Sequence, residues 1–563
     1  MFKSILFLYC TLILPVAVYC YYPQVTIKYG TLRGQYLSTI KGRLFSSFTS
    51  IPYAKPPVGE LRFQVSQPVE PWHGILDASQ AHPVCPQVNL SNNTLSGDED
   101  CLYLNVYTPQ LSFPFIKLLP VMIFVHGGSF LSLNANRNQF DPSILLDKDI
   151  VLVVPNYRLG VLGFLSYGDE ILPGNNGLKD QNLAIKWTKE NIIYFGGNPN
   201  AITLFGQSAG AASVHLHMLS PLSRDLIHGV ISESGNALSK WALALRNEGQ
   251  ILTKRLAQSF NCPTHTSYEI MECLKKIDAY DLINARNLFE WNIIPLLRFR
   301  PVIEPNVEGA FLTEHPADII KSGKAANVPF LVGFNSEDGT FQSAPIYGSP
   351  RLLNDFSNYF EQTAPIALRY RDTAPDKEFI TKKIREFYLN NGEINNYTKP
   401  HVTAMFTDGI WIAPTNEVVL LHLKYTNQPV YYYVFAYRGT ASSTTADDPT
   451  YNYGVGHSDE LLYLFLLRNR FPNYIPNEMD IRVSNVLTTL WTNFAKTGNP
   501  TPTNDLLLPE KWQPVQSENL EFYLIRNDKD IRMTEKPYWE RSKFWMYLLT
   551  DIEKLFKNLC IGF

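Results

Sequence analysis

Five residues, Gly206-Gln-Ser-Ala-Gly210, stand between the short apolar run Ala201-Ile-Thr-Leu-Phe205 and an Ala-rich stretch suited to a helix. That order, strand then tight turn then helix, constrains the fold more than any other stretch, because it belongs to sheets that are covered by helices. Gly206 and Gly210 relieve crowding at so sharp a turn and leave the Ser208 hydroxyl exposed at its apex. A serine hydroxyl is a weak nucleophile until a base takes its proton. A lone G-x-S-x-G is weak evidence of such chemistry, since small residues recur at strand-to-helix turns.

The neighbouring sequence extends the pattern. Leu119 to Val125 and Ile150 to Val154 are short, β-branched runs consistent with buried strands. Asp180 to Tyr194 carries Leu183, Ile185, Trp187, Ile192 and Ile193 near helical spacing, and Gly196-Gly197 is a plausible stop. Prolonged alternation of strands and helices predicts an α/β fold, with a large, mostly parallel or mixed sheet covered on both faces. No Gly/Ser linker, charge block or fixed-period repeat divides the chain, so one domain with insertions is expected over residues 21–563. Residues 240–300 and 340–405 read as helical or irregular insertions that shape a pocket.

Three features give Ser208 a chemistry. Val125-His-Gly-Gly-Ser-Phe130 follows a predicted strand, and small residues there let backbone amides point at a developing oxyanion. The turn adds the amide of Ala209, the residue after the serine. His457 lies late in the chain in Gly454-Val-Gly-His-Ser-Asp-Glu460, and imidazole suits base and then acid duty near neutrality. Between them, Gly333-Phe-Asn-Ser-Glu337-Asp338-Gly339 follows the strand-like Val328 to Val332 and offers two carboxylates, of which one can orient the imidazole. Spacing alone does not choose between Glu337 and Asp338. The other ten histidines read as surface or core residues, with His215 and His217 a helix feature. With no H-e-x-x-H or paired C-x-x-C motif, neither a metal nor a cofactor is expected.

Composition narrows the partners. A formal charge of -3 with 18% charged residues leaves no electrostatic footprint for nucleic acid or an anionic membrane. A small neutral molecule is the expected partner. Lys3 precedes an apolar run from Ile5 to about Cys20, which resembles a cleavable secretory signal over residues 1–20 and falls short of the ~20 residues of a spanning helix. Secretion without stable membrane insertion is therefore expected. Beyond that segment stand Cys85, Cys101, Cys262, Cys273 and Cys560, and the spacings within the first two pairs suggest two local loops. The sequons at Asn89, Asn92 and Asn396 fit an extracellular glycoprotein. Cys560 is left over, so a monomer and a homodimer both remain open. The final CIGF matches a prenylation box only formally, because a lumenal chain would not meet cytosolic prenyl transferases.

From about Val25 to Tyr547 these residues resemble the type-B carboxylesterase family, which includes insect carboxylesterases, juvenile hormone esterases and cholinesterases. The likeness rests on Phe195 to Gly210, on Glu99-Asp-Cys-Leu-Tyr-Leu-Asn-Val-Tyr-Thr-Pro109, and on the segments 56–63, 156–164 and 177–187. It implies an α/β-hydrolase fold and hydrolysis of small carboxylic esters through an acyl-serine. In that reading Ser208 is the nucleophile and His457 the base. The oxyanion amides are those of Gly128, Ser129 and Ala209. The family's acid, usually Glu before Gly, falls on Asp338, whose shorter side chain must approach the imidazole by about one methylene more. Ser129 stands where a third glycine is common. The resemblance also pairs Cys85 with Cys101 and Cys262 with Cys273, and makes Arg62–Glu99 and Arg158–Asp180 structural ion pairs. Gln207 is similar to the juvenile hormone esterase form of the turn. The absence of Trp between Cys85 and Cys101 departs from cholinesterases. A non-catalytic adhesion relative on the same fold is the competing class, and such relatives typically lack the serine or the histidine.

Overall fold

Runs such as Leu119-Pro-Val-Met-Ile-Phe-Val125 and Val430-Tyr-Tyr-Tyr-Val-Phe435 are buried along their whole length, as strands covered on both faces must be. The computed structural model describes residues 22–89, 94–111, 117–245, 247–285 and 299–548. Its strands, in chain order, begin with β1 (Gln24–Ile27), β2 (Gly30–Arg33), β3 (Gln35–Ser38), β4 (Leu44–Pro52), β5 (Ile75–Asp77), β6 (Gln87–Val88), β7 (Leu95–Ser96) and β8 (Tyr103–Thr108). The central strands are β9 (Leu119–Val125), β10 (Val151–Pro155), β11 (Gly197–Gln207), β12 (Gly229–Glu233), β13 (Phe330–Asn335) and β14 (Val430–Phe435), followed by β15 (Phe522–Asn527) and β16 (Asp530–Thr534).

An 11-stranded sheet runs in the order β16-β15-β14-β13-β12-β11-β9-β10-β8-β4-β3. The block from β15 to β10 is parallel, and antiparallel strands flank it on both sides. The sheet is thus mixed with a parallel centre, the α/β-hydrolase arrangement. β1, β2 and β5 form a small separate sheet, and β6 pairs with β7.

Alternation along the central strands builds a core on each face. In β9, Val121, Ile123 and Val125 face a layer with Leu178, Ile185, Ala212 and Val214. Met122 and Phe124 face the other, with Phe465, Leu490 and Trp491.

The helix expected over 180–194 spans Asn176–Asn191, and a 3-10 turn, Ile192–Phe195, follows it to Gly196 at φ 78°. β11 is longer than the run 201–205, because Gly197 already pairs with Leu119 before a register shift at Ile202. The insertion regions are helical, with Glu248–Ser259, Ser267–Leu274 and Ala279–Asn284 in the first and five helices from Thr340–Gly348 to Lys399–Phe406 in the second. Cys85 is bonded to Cys101 and Cys262 to Cys273. Arg158 meets Asp180 through two bonds of 2.7 Å in the interior, and Arg62 Nε reaches Glu99 at 2.7 Å. Among the described residues no helix is long and apolar enough to cross a membrane. Residues 1–20, Asn92 and Cys560 lie outside the described residues. Asn89 and Asn396 are exposed.

Candidate active site

Parallel strands deliver their C-terminal ends to one edge of the sheet, where α/β folds place their ligands. Here β11 and β12 end side by side on Gln207 and Glu233, and β13 runs two residues past Gly333, the partner of Glu233, to end on Asn335. Ser208 follows β11 directly, with φ 59° and ψ -121°, and heads the helix Ala209–Leu219. A non-glycine residue held there costs on the order of 1–3 kcal/mol, which the surrounding packing must offset. Part of that support is the bond from Ser208 N–H to the Glu233 carbonyl, 2.9 Å. The turn also sits hard against the end of β9. A Cβ on Gly210 would lie 1.9 Å from the Val125 carbonyl oxygen, so no other residue fits without displacing the strand.

Next to it, the loop after β9 turns through Gly128 (φ 93°), Ser129 (φ 61°) and Phe130 (φ 56°). Successive left-handed residues rotate consecutive amides toward a common concave side, an anion-binding arrangement. No hydrogen bond among the described residues engages the amides of Gly128, Ser129 or Ala209. Ala209, at the first position of its helix, also carries the positive end of the helix dipole.

His457 Nδ1 donates to Asp338 Oδ1 at 2.8 Å, and both side chains are buried. The shorter acid therefore reaches the imidazole. Its other oxygen, Oδ2, accepts from Ser234 Oγ and from the amide of Asn335, each at 2.8 Å. Glu337 turns elsewhere: its Oε2 accepts from the amide of Val455 at 2.8 Å and from Ser336 Oγ. Burial pushes the Glu337 carboxyl up. Of the two acids open on spacing, Asp338 is the one in contact with the histidine.

With Nδ1–H committed to Asp338, Nε2 is the acceptor nitrogen of the ring. Gln207, the residue before Ser208, places its side-chain nitrogen 3.2 Å from Nε2 and 3.5 Å from Nδ1, which joins the elbow to the imidazole. Trp411 lies 4.4 Å from the His457 ring, centroid to centroid, and Phe341 5.2 Å from it, edge-on. Trp241 stands 5.4 Å from Trp411. The wall around the imidazole is thus aromatic and uncharged. Trp411 comes from a π-helical turn, Thr407–Ile412, a local irregularity that often marks functional positions.

Beneath the pair lies a group of acids that sequence reading did not single out. Glu233 is fully buried and pushed up to about 8 by burial, with Trp491 Nε1 donating to its Oε1 at 2.7 Å. Glu460 is pushed up by burial and then by the charges of Glu233 and Asp338. Both are held toward their neutral forms. Glu460 lies three residues beyond His457 in a loop already of interest. Its burial, the property that matters, is not visible in sequence.

His215 and His217 belong to the core: His217 bonds Ser223 and Gln181, and His215 bonds His422. Among the described residues no group of His, Cys, Asp and Glu side chains could hold a metal ion.

Comparison with known proteins agrees with this geometry. The model of the carboxylesterase family matches residues 22–545. A juvenile hormone esterase of Tribolium castaneum is 36% identical over 519 residues, which cover 89% of this chain and 87% of that protein. A carboxylic ester hydrolase of Bombus ignitus is 36% identical over 93% of each chain, and venom carboxylesterase-6 of Apis mellifera 34% identical over 95% of each. With a family match across nearly the whole described chain and relatives of this closeness, the protein belongs to the carboxylesterase family and is a carboxylic ester hydrolase.

Proposed function

We propose that the protein is a secreted esterase that hydrolyses small, neutral, largely apolar carboxylic esters by acyl transfer through Ser208. The observation that carries the reading is the 2.8 Å bond between His457 Nδ1 and Asp338 Oδ1, with the imidazole 3.2 Å from the side-chain nitrogen of Gln207, the residue before a serine held at φ 59°. Ser208 attacks the ester carbonyl while His457 Nε2 takes its proton, and Asp338 holds the tautomer. The oxyanion is met by the amides of Gly128, Ser129 and Ala209. Each such donor supplies about 3 kcal/mol to the transition state. His457 then protonates the leaving alcohol and activates the water that releases the acid. The aromatic wall of Trp241, Phe341 and Trp411 beside the His457–Asp338 pair favours neutral, apolar esters.

Secretion is supported by the apolar N-terminal segment, the two disulfides and the exposed Asn89 and Asn396. A second reading, hydrolysis of a long terpenoid methyl ester, is supported by Gln207 in the elbow and by the juvenile hormone esterase among the relatives. The test is organophosphate labelling with turnover of 4-nitrophenyl acetate. Ser208 takes one label per chain, and Ser208→Ala abolishes turnover; full turnover in that variant excludes the assignment. A terpenoid methyl ester turned over with a higher kcat/KM than short acyl esters selects the second reading.

A further inference from the structure

Asn335 ends β13 and is completely buried, three residues before Asp338. Its backbone and its side chain serve different halves of the site. The amide N–H donates to Asp338 Oδ2 at 2.8 Å, and the Asp338 amide returns a bond to the Asn335 carbonyl at 3.1 Å, which closes the turn carrying the acid. The side-chain Nδ2 points the other way. One of its hydrogens goes to the carbonyl of Gly456 at 2.8 Å, and the same nitrogen bonds Glu460 Oε2.

Gly456 immediately precedes His457, so that carbonyl belongs to the peptide plane from which the histidine departs. The N–H of the same plane, His457 N, donates to Thr340 Oγ1 at 3.1 Å. Ser443 Oγ holds the next carbonyl, that of His457, at 2.6 Å. With the peptide planes on both sides of the His457 Cα held, the direction of its Cα–Cβ bond is fixed. The acid and the histidine come from segments 119 residues apart, and Asn335 is bonded to both. Glu460 takes the remaining hydrogen of the same amide, so the carboxamide cannot turn without losing a buried bond.

We propose that Asn335 is a positioning residue of the hydrolytic site, holding Asp338 through its backbone and the Gly456–His457 peptide through its carboxamide, so that acid and base keep one relative placement. The proposal rests on the reading of Asp338 and His457 as partners of Ser208. Truncating the carboxamide leaves Ser208, the oxyanion loop and the aromatic wall in place. It frees the histidine's peptide plane. Misplacement of this kind lowers the rate of the chemical steps more than the binding of substrate.

The test uses the full-length protein, with kcat counted per site titrated by an organophosphate, so that misfolded chains are not scored. Asn335→Ala lowers kcat per titrated site on the order of ten- to a hundredfold and leaves KM within about twofold. Asn335→Asp provides the discriminating measurement. Its carboxyl would meet Glu460, on which Glu233 and Asp338 act in turn and near which the Tyr433 phenol lies, and burial among these acids favours its protonated form. Protonated, it can donate one of the two lost bonds; ionised, it can donate none. The activity of Asn335→Asp relative to the unmodified protein therefore recovers as pH is lowered from 8 toward 6. The proposal is overturned if kcat per titrated site stays within about twofold in Asn335→Ala. It is also overturned if Asn335→Asp is no more active per titrated site at pH 6 than Asn335→Ala. Failure of the underlying reading looks different: the unmodified protein would then take no label at Ser208.

Discussion

The side-chain nitrogen of Gln207 lies almost equally far from the two nitrogens of His457, 3.2 Å from Nε2 and 3.5 Å from Nδ1. A donor on the in-plane lone pair of Nε2 would be much farther from Nδ1. The carboxamide therefore rests over a face of the imidazole and leaves the lone pair of Nε2 open in the ring plane, the direction from which Ser208 must be deprotonated. Because the amide is neutral, it covers the ring without adding charge. Gln207→Glu places a carboxylate on that face, and its attraction favours the imidazolium. The acid limb of kcat/KM then moves to higher pH, whereas Gln207→Met leaves it in place. A pH–rate profile for the two variants checks this, and an unmoved limb in Gln207→Glu removes the electrostatic role.

Glu337 and Asp338 are adjacent, yet they face different partners. Asp338→Asn removes the acceptor that sets the His457 tautomer and lowers kcat on the order of 10³- to 10⁴-fold. Glu337→Gln keeps an acceptor for the Val455 amide and costs less than about tenfold. Steady-state kinetics on both variants separate the two residues; the reverse ranking would reassign the acid.

The site was legible in sequence to the extent that its parts are local. The strand, the GQSAG turn and the following helix are contiguous, and each element meets its own sequence preferences. His457 stands out by its glycine-bearing loop late in the chain, and Asp338 only through the resemblance, which puts the family's acid at that position. What brings them together is the order of the sheet, with β13 beside β12 and β12 beside β11, and no local pattern encodes that order. The same holds for Trp411. Its contact with His457 depends on a π-helical turn that offsets the ring from ordinary helical spacing. In sequence Gln207 marks only a form of the turn, and Asn335 is one residue of the segment Gly333 to Gly339 with no role of its own. Their partners lie 250 and 121 residues away, so only the folded chain relates them.

Ser129 keeps a left-handed backbone at φ 61°, a conformation that costs a residue with a side chain about 1 kcal/mol or more. Ser129→Gly removes that cost but loosens the unfolded chain by a similar amount, about 0.4–1 kcal/mol, so stability changes little. The useful readout is selectivity. The Ser129 side chain is buried in the loop whose amides the proposed mechanism aims at the ester carbonyl. Its loss raises kcat/KM for long or branched acyl esters relative to acetate. Unchanged selectivity across an acyl-chain series means that the hydroxyl does not contact substrate.

His217 is buried between two neutral partners, accepting from Ser223 Oγ at 2.7 Å through Nδ1 and donating to Gln181 Oε1 at 3.0 Å through Nε2. Burial pushes it down to about 3. In the unfolded chain a histidine titrates near 6.5. Between these two values the unfolded state binds the proton and the folded state does not, so stability falls as pH drops below about 6.5, by up to about 1.4 kcal/mol per pH unit. His422, pushed down to about 4 by burial, and its partner His215, also pushed down, act in the same sense. Glu233 and Asp408, pushed up to about 8 and about 7, act oppositely: the folded state holds their protons, and stability falls as pH rises from about 4. A single curve mixes these contributions, but a difference between two proteins isolates one. His217→Gln retains hydrogen-bonding capacity and cannot be protonated. Its stability relative to the unmodified protein, measured by urea unfolding at pH 7 and pH 5, is lower at pH 7 and gains ground at pH 5. A constant difference at the two pH values would show that His217 does not take up a proton on unfolding.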